Sequence, residues 1–414
     1  MMIAGPAMND DPTPRSFDPA WWQRDDLGYR ANRLHFAGCD LQSLAEQRGT
    51  PAFVYSAARV RANLLRLQAA LAAEGVPHRV LYAIKANRFR PLLQAMHSWG
   101  LCGVDVCSPA ELQYALDLGF GATDISFTGH AVSNADLDAF ARHPDVHINC
   151  DALSTIRRLG ERCPGRPIGI RVNPRVGAGY NDRLHYAGTR PSKFGIYRDR
   201  FDEALELAAR FRMKVTQVHF HFGYGYLTRD LPQFEEALAN AAWFVDRCPD
   251  VDTLDVGGGM GAPITPGHPP LDLGRWAALI AQATRSRNLR VHVEPGDYLM
   301  KDAGALLCEV NTVENKGGVN FAGVDAGLNL QNLWAYYQTP FVVAPLELRS
   351  EGGECATYTV TGNINEAIDV LAENVVLPRI QEGDFVALLN AGGYGSAAAS
   401  NHCMRGSFSE YLLD

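Results

Sequence analysis

Leu81-Tyr-Ala-Ile-Lys-Ala-Asn87 is an apolar run that delivers a single ammonium and then breaks into Arg88-Phe-Arg-Pro91. The small and β-prone residues ahead of Lys85 predict an interior strand over 79–84, and Pro91 predicts a helix start that runs to Trp99. Lys85 then falls at the carboxyl end of the strand, where α/β folds gather their chemistry. A lysine buried there has a lowered pKa and suits imine formation. A strand-end lysine can equally snorkel to solvent. The segment alone leaves both readings open.

Outward from it, strand-like and helix-like stretches alternate. Strands are predicted over 52–55, 103–106, 124–127, 146–149, 167–172, 215–221, 253–256 and 290–293. Helices are predicted over 57–75, 202–211 and 231–248, and Ser108-Pro109 ahead of Glu111 is a helix-start signature. Repeated β–α units imply a parallel sheet with right-handed crossovers, and about eight of them in roughly 250 residues imply a closed (β/α)₈ barrel. Beyond residue 300 the strands 305–313, 319–324, 357–361 and 385–389 are separated by Gly, Pro and Asn turns, a β-rich domain. The expected organisation is α/β plus β. Residues 1–48 form a leader and strands joining the β domain, 49–300 the barrel, and 301–414 the C-terminal β domain.

The 414 residues, 47% hydrophobic and 20% charged, suffice for two cores. A net charge of −8 without a basic stripe argues against nucleic acid or an anionic membrane as partner. Nine cysteines, an odd number with no CxxC pair, point to reduced thiols and a cytoplasmic protein rather than a disulfide framework. No apolar run reaches the roughly 18–20 residues of a membrane span. Residues 1–15 are Asp/Pro-rich and read as a loose leader, not a signal peptide.

Three further features sit at predicted strand ends. Gly257-Gly-Gly-Met-Gly261 lets backbone N–H groups approach an anion closely, or is a plain turn. Glu294-Pro-Gly296 aims a carboxylate into the barrel mouth, or ends a strand with a salt-bridged acid. His219-Phe-His-Phe-Gly223 puts both imidazoles on one face by period two. No acid or thiolate next to them completes a metal set, so an imidazole facing a planar ring is preferred and no metal is expected. Together, a strand-end lysine, a phosphate cradle, an interior acid and a ring-facing histidine specify pyridoxal 5′-phosphate (PLP). The lysine holds its aldehyde, the glycines its phosphate and the acid its ring nitrogen.

The ordered set Tyr82-Ala-Ile-Lys-Ala-Asn87, Gly103-Val-Asp-Val-Cys-Ser-Pro-Ala-Glu-Leu112, Arg171-Val-Asn-Pro174, Ser192-Lys-Phe-Gly195, His219-x-His-x-Gly223, Gly257-Gly-Gly259, Glu294-Pro-Gly296 and Gly393-Tyr-Gly395 resembles the fold-type III PLP decarboxylases, the diaminopimelate and ornithine decarboxylase family. The resemblance implies an alanine-racemase-like barrel with a C-terminal β domain, and a homodimer with shared active sites. It implies Lys85 as the Schiff-base lysine, His221 against the ring and Glu294 on the ring nitrogen. Asp105 and Arg171 would line the cofactor pocket, with Gly258, Gly259, Gly296 and Tyr394 around the phosphate.

Three departures from the family pattern stand out. Tyr224 occupies the place of a phosphate-binding serine, and Asp297 that of the arginine in Glu-Pro-Gly-Arg. Asn365-Glu-Ala-Ile-Asp369 replaces Cys-Glu-Ser-Gly-Asp, whose cysteine donates a proton across the dimer. Asn365 has no titratable proton, so Glu366, His402, Tyr394 or a water must substitute. An anion at 297 disfavours a substrate with a distal carboxylate. Asp297, Asn329, Trp334, Tyr336, Tyr337, Glu366 and Asp369 are the candidate substrate residues. The expected activity is decarboxylation of an amino acid or a derivative, not diaminopimelate. Racemisation or decarboxylation-coupled transamination is the alternative, and a non-catalytic PLP carrier fits the two-domain organisation poorly.

Overall fold

In the computed structural model, which describes residues 16–188, 190–349 and 354–414, the run ahead of Lys85 forms the strand His78–Ala83. Val80 through Ala83 are all buried, because helices cover the outer face and facing strands the inner one. Parallel neighbours Gly103–Val106, Ile125–Thr128, His147–Cys150, Ile168–Arg171, Val215–His219, Thr253–Asp255 and Arg290–Val293 follow in chain order and close on the first strand. Leu81 pairs with Gly103 on one side, and Val80 with Val293 on the other. This is the expected (β/α)₈ barrel.

Local chemistry sets the helix starts. The Ser108 hydroxyl accepts from the Glu111 amide at 3.2 Å, with Pro109 in the first turn. Ser56 caps Ala57–Ala73 in the same way. Each satisfies an amide that has no partner inside its helix.

Gly304–Lys316 is the spine of the C-terminal domain. Its first half pairs with Phe385–Leu389 and its second with Val319–Val324. Cys355–Thr361, Val370–Pro378 and Val342–Pro345 extend the sheet. The last two have no counterpart among the predicted strands. Leu27–Arg30, Arg33–Phe36 and Cys39–Asp40 form a small antiparallel sheet of their own. Leu27, Leu34 and Phe36 share a core with Leu307, Ala344, Leu346 and Leu389 of the large sheet. The leader predicted over 1–15 lies outside the described residues.

One predicted barrel strand belongs elsewhere. Ala52–Tyr55 pairs antiparallel with Gly304–Lys316 and parallel with Ser409–Leu412. Phe53 and Tyr55 face the barrel's core and Val54 the second core. A strand between two cores is apolar on both faces, which is why it reads like a barrel strand. Among the described residues no helix is long and apolar enough to cross a membrane.

Candidate active site

Lys85 lies one residue past the strand predicted for it, in the turn Ile84–Ala86 that follows His78–Ala83. Two bonds fasten this turn to the C-terminal domain. The Asn87 side chain donates to the Gly392 carbonyl at 2.9 Å, and the Tyr394 amide to the Ala86 carbonyl at 2.7 Å. The lysine's position is therefore set by both domains.

The Lys85 side chain keeps 40% of its surface accessible, facing a cavity in the barrel mouth. Its Nζ lies 3.7 Å from Asp105 Oδ2 and 3.7 Å from Cys107 Sγ. Desolvation pulls its pKa down, but the acids around it, Cys107, Asp105, Tyr394 and Glu294, outweigh that and hold it well above the usual lysine value. Burial pushes the Cys107 thiol up to about 12, so at neutral pH the charges acting on Lys85 are carboxylates. Asp105 is itself raised, by desolvation and by Glu294, and neither of its oxygens has a hydrogen-bond partner.

Glu294 follows the strand Arg290–Val293 and is almost fully buried. It meets His219 Nε2 at 3.1 Å and accepts from the Thr128 hydroxyl at 3.4 Å. Burial opposes its charge, yet His219 and the Lys85 ammonium prevail and hold its carboxyl below the usual range. His219 itself is lowered by desolvation, against the opposing pull of the Glu294 carboxylate. His221, beyond the strand end, is kept neutral by desolvation and the nearby Arg171 and Lys85 charges. Its ring packs on Tyr186, centroids 4.7 Å apart, and its Nδ1 has no partner. His219, Asp255 and Glu294 are close enough together to ligate a metal ion. Asp255, absent from the local sequence reading, is occupied by the Gly257 amide at 2.9 Å and by Gln217 at 3.3 Å.

The glycines form a cup at the cavity. Gly257 and Gly259 have φ of 67° and 88°, which a side chain rarely adopts. A Cβ at Gly258 would strike the Glu294 carbonyl, one at Gly259 the Gly223 carbonyl, and one at Gly296 would lie 3.3 Å from the Tyr394 hydroxyl. Among the described residues the amides of Gly258, Gly259 and Gly296 have no backbone acceptor. The cavity holds about 340 Å³ and is also lined by Thr128, His130, Arg171, Phe194, Tyr224 and Asp297. That is a small-molecule volume.

The sequence matches the family described as pyridoxal-dependent decarboxylase, pyridoxal binding domain, over residues 57–301. The chain belongs to the pyridoxal-dependent decarboxylase family. It is a PLP-dependent carboxy-lyase of the diaminopimelate and ornithine decarboxylase group with the alanine-racemase-like fold. It is similar to diaminopimelate decarboxylase of Methanothermobacter thermautotrophicus, 34% identical over 92% of this chain and 90% of that protein. Diaminopimelate decarboxylase of Pseudomonas fluorescens is 32% identical over 94% of each chain. Among solved structures, AQ1208 from Aquifex aeolicus superposes with a TM-score of 0.83 over 95% of this chain and 93% of that one, at 26% identity.

The residues present fit this family's cofactor. Unpartnered glycine amides suit a phosphate, an ionised buried carboxylate suits a protonated ring nitrogen, and a neutral imidazole suits a ring face. Of the residues expected there, the cavity brings together Lys85, Arg171, His221, Tyr224, Gly259, Glu294, Gly296, Asp297 and Tyr394. Asp105 lies against Lys85.

The expected substrate residues divide differently. Asn329 is buried and donates to the Arg405 carbonyl at 2.8 Å. Asp369 accepts the Leu328 and Ile364 amides, each at 2.6 Å, and so shapes a loop rather than facing a ligand. Asn365 and Glu366 are exposed, Tyr337 is exposed, and Trp334 packs on the core. None of these lines the cavity of its own chain. Asp297 does line it, but its carboxylate meets Lys301 Nζ at 3.1 Å, so its charge is cancelled locally. The inference that it repels a substrate carboxylate is corrected by this pair. Lys301 was not singled out in the sequence, although the i, i+4 spacing from Asp297 was there to be read. Cys107, Tyr186 and Asp255 carried no local signal.

Proposed function

We propose that the chain decarboxylates an amino acid or amino-acid derivative other than diaminopimelate, with Lys85 holding the cofactor. The observation that carries the reading is one cavity joining Lys85, the glycine cup and the buried Glu294. When bound, PLP supplies an electron sink for the pair left by a departing carboxylate. Lys85 would hold its aldehyde carbon, Glu294 its ring nitrogen, His221 a ring face, and Gly258, Gly259, Gly296 and Tyr394 its phosphate.

The chain's own groups prepare that chemistry. Asp105, 3.7 Å from the Lys85 ammonium, is the carboxylate that holds the lysine's charge and position in the cavity. Glu294 keeps its charge through His219 and Thr128. Tyr186 and Phe194, with ring centroids 5.2 Å apart, wall the cavity and limit water.

The substrate half of the proposal rests on Asn365. A site that ends its reaction without a thiol at this position has a different proton delivery, and Glu366 with His402 at 3.1 Å is the acid pair beside it. Both are half exposed and far from filling their own chain's cavity. They act, in this reading, within a homodimer whose sites are shared. Exposed Ile368 at 52% and Met404 at 87% support a covered face in that region. Reduced thiols at Cys107, Cys150, Cys248 and Cys308 support a cytoplasmic setting.

Carbon dioxide release from a panel of amino acids that includes diaminopimelate tests both halves. Release from another amino acid at the higher kcat/KM is expected. Preference for diaminopimelate overturns the substrate assignment, and release from none overturns the activity. Asn365 also favours a second reading, racemisation or decarboxylation-coupled transamination; deuterium uptake at Cα with the carboxylate retained would identify a racemase.

A further inference from the structure

Asp297 and Lys301 form an ion pair with 2% and 1% of their side chains exposed, directly behind the glycine cup. The Lys301 ammonium also donates to the Tyr224 hydroxyl at 3.3 Å and stands 5.6 Å from the Tyr180 ring centroid and 5.7 Å from that of Tyr224. Asp297 Oδ1 has no hydrogen-bond partner although it is buried. Tyr224 and Asp297 reach the cavity and Lys301 does not. A lone carboxylate here would repel a phosphate of about −2 charge. Around the cup, the described charged side chains facing Asp297 are Lys301 and, more weakly, Asp302, whose own charge is held by Arg59 and Arg24.

We propose that Lys301, acting from behind the cavity wall, is the positioning residue that neutralises Asp297 and so lets the glycine cup hold the cofactor's phosphate in this chain. The reasoning is one of donors. Lys301 holds the Tyr224 hydroxyl, which itself bonds the Asp297 carboxylate, so the three side chains form one set behind the cup. Lys301 also cancels the Asp297 charge, so the cup presents unpartnered amides and a phenol rather than an anion. The two departures at 224 and 297 thus belong to one arrangement centred on a third residue. The inference rests on the PLP reading of the cavity.

The test compares dissociation constants for PLP and for pyridoxal, which lacks the phosphate, by absorbance titration of the refolding-checked proteins. Lys301→Met should cut the preference for PLP over pyridoxal at least tenfold. Asp297→Asn, which leaves the cation uncompensated, should raise that preference. Removing one partner of a buried pair strains the fold, so the uncharged double variant Asp297→Asn with Lys301→Met provides the second arm. Its preference should fall well below that of Asp297→Asn alone. An unchanged PLP/pyridoxal ratio, or an equal loss of both ligands, in folded Lys301→Met, or a double variant whose preference is as low as that of Lys301→Met, overturns the assignment of Lys301. Wild-type protein that takes up neither ligand contradicts the PLP reading itself.

Discussion

Lys85 and Asp105 make sense only as a pair. Alone, a lysine in a partly desolvated cavity would lose its proton; with carboxylates around it, it keeps it. Asp105 is the nearest carboxylate, and it has no other hydrogen-bond partner. At position 365 the sequence was informative in the opposite sense. An amide stands where the family pattern has a thiol, but a sequence could not show that Asn365 sits on an exposed loop that does not line its own chain's cavity. Asn365→Cys should raise the decarboxylation rate if that loop is simply a site that has lost its acid, measured as carbon dioxide released per turnover. A loss of rate would instead give Asn365 a role of its own in holding substrate. Asp297 teaches the complementary lesson. Its charge was legible and so was the i, i+4 spacing to Lys301, but only the packed structure shows that the two meet, buried, beside the cavity.

At the scale of the elements, the barrel strands were legible because they are short, apolar and evenly spaced. Gly103–Val106 and Arg290–Val293 match residue for residue. Ala52–Tyr55 was misplaced because two cores give it the same texture. Val342–Pro345 and Val370–Pro378 escaped because their pairing partners are distant in sequence and leave no local period. Two of the strands carry a further consequence. His147 opens its strand and His292 is the third residue of its own, and desolvation lowers each to about 4, with His147 adding to the effect on His292. A histidine starts near 6.5 unfolded, so the unfolded chain binds more protons between pH 6.5 and 4. Stability is then fully present above pH 6.5 and falls as pH drops toward 4, by on the order of 3 kcal/mol per histidine at most. Urea midpoints recorded at pH 7 and pH 5 should show the decline, and His292→Gln should flatten it. A variant with an unaltered slope would remove His292 from the account.

For the whole molecule, the active-site turn is held where the barrel meets the C-terminal domain, through Asn87 to Gly392 and Ala86 to Tyr394. The shared-site proposal makes the functional unit a dimer, so light scattering at micromolar concentration should give twice the 45.3 kDa chain mass. A monomer with full activity would leave Asn365 and Glu366 outside the chemistry. The central claim concerns Lys85, and two lysines lie close to the cavity, Lys85 in its wall and Lys301 behind it. The most direct measurement is borohydride reduction of the PLP-loaded protein followed by peptide mapping. The account predicts one phosphopyridoxyl-bearing peptide, modified at Lys85. Modification at Lys301 or at a surface lysine, with Lys85 untouched, would contradict it.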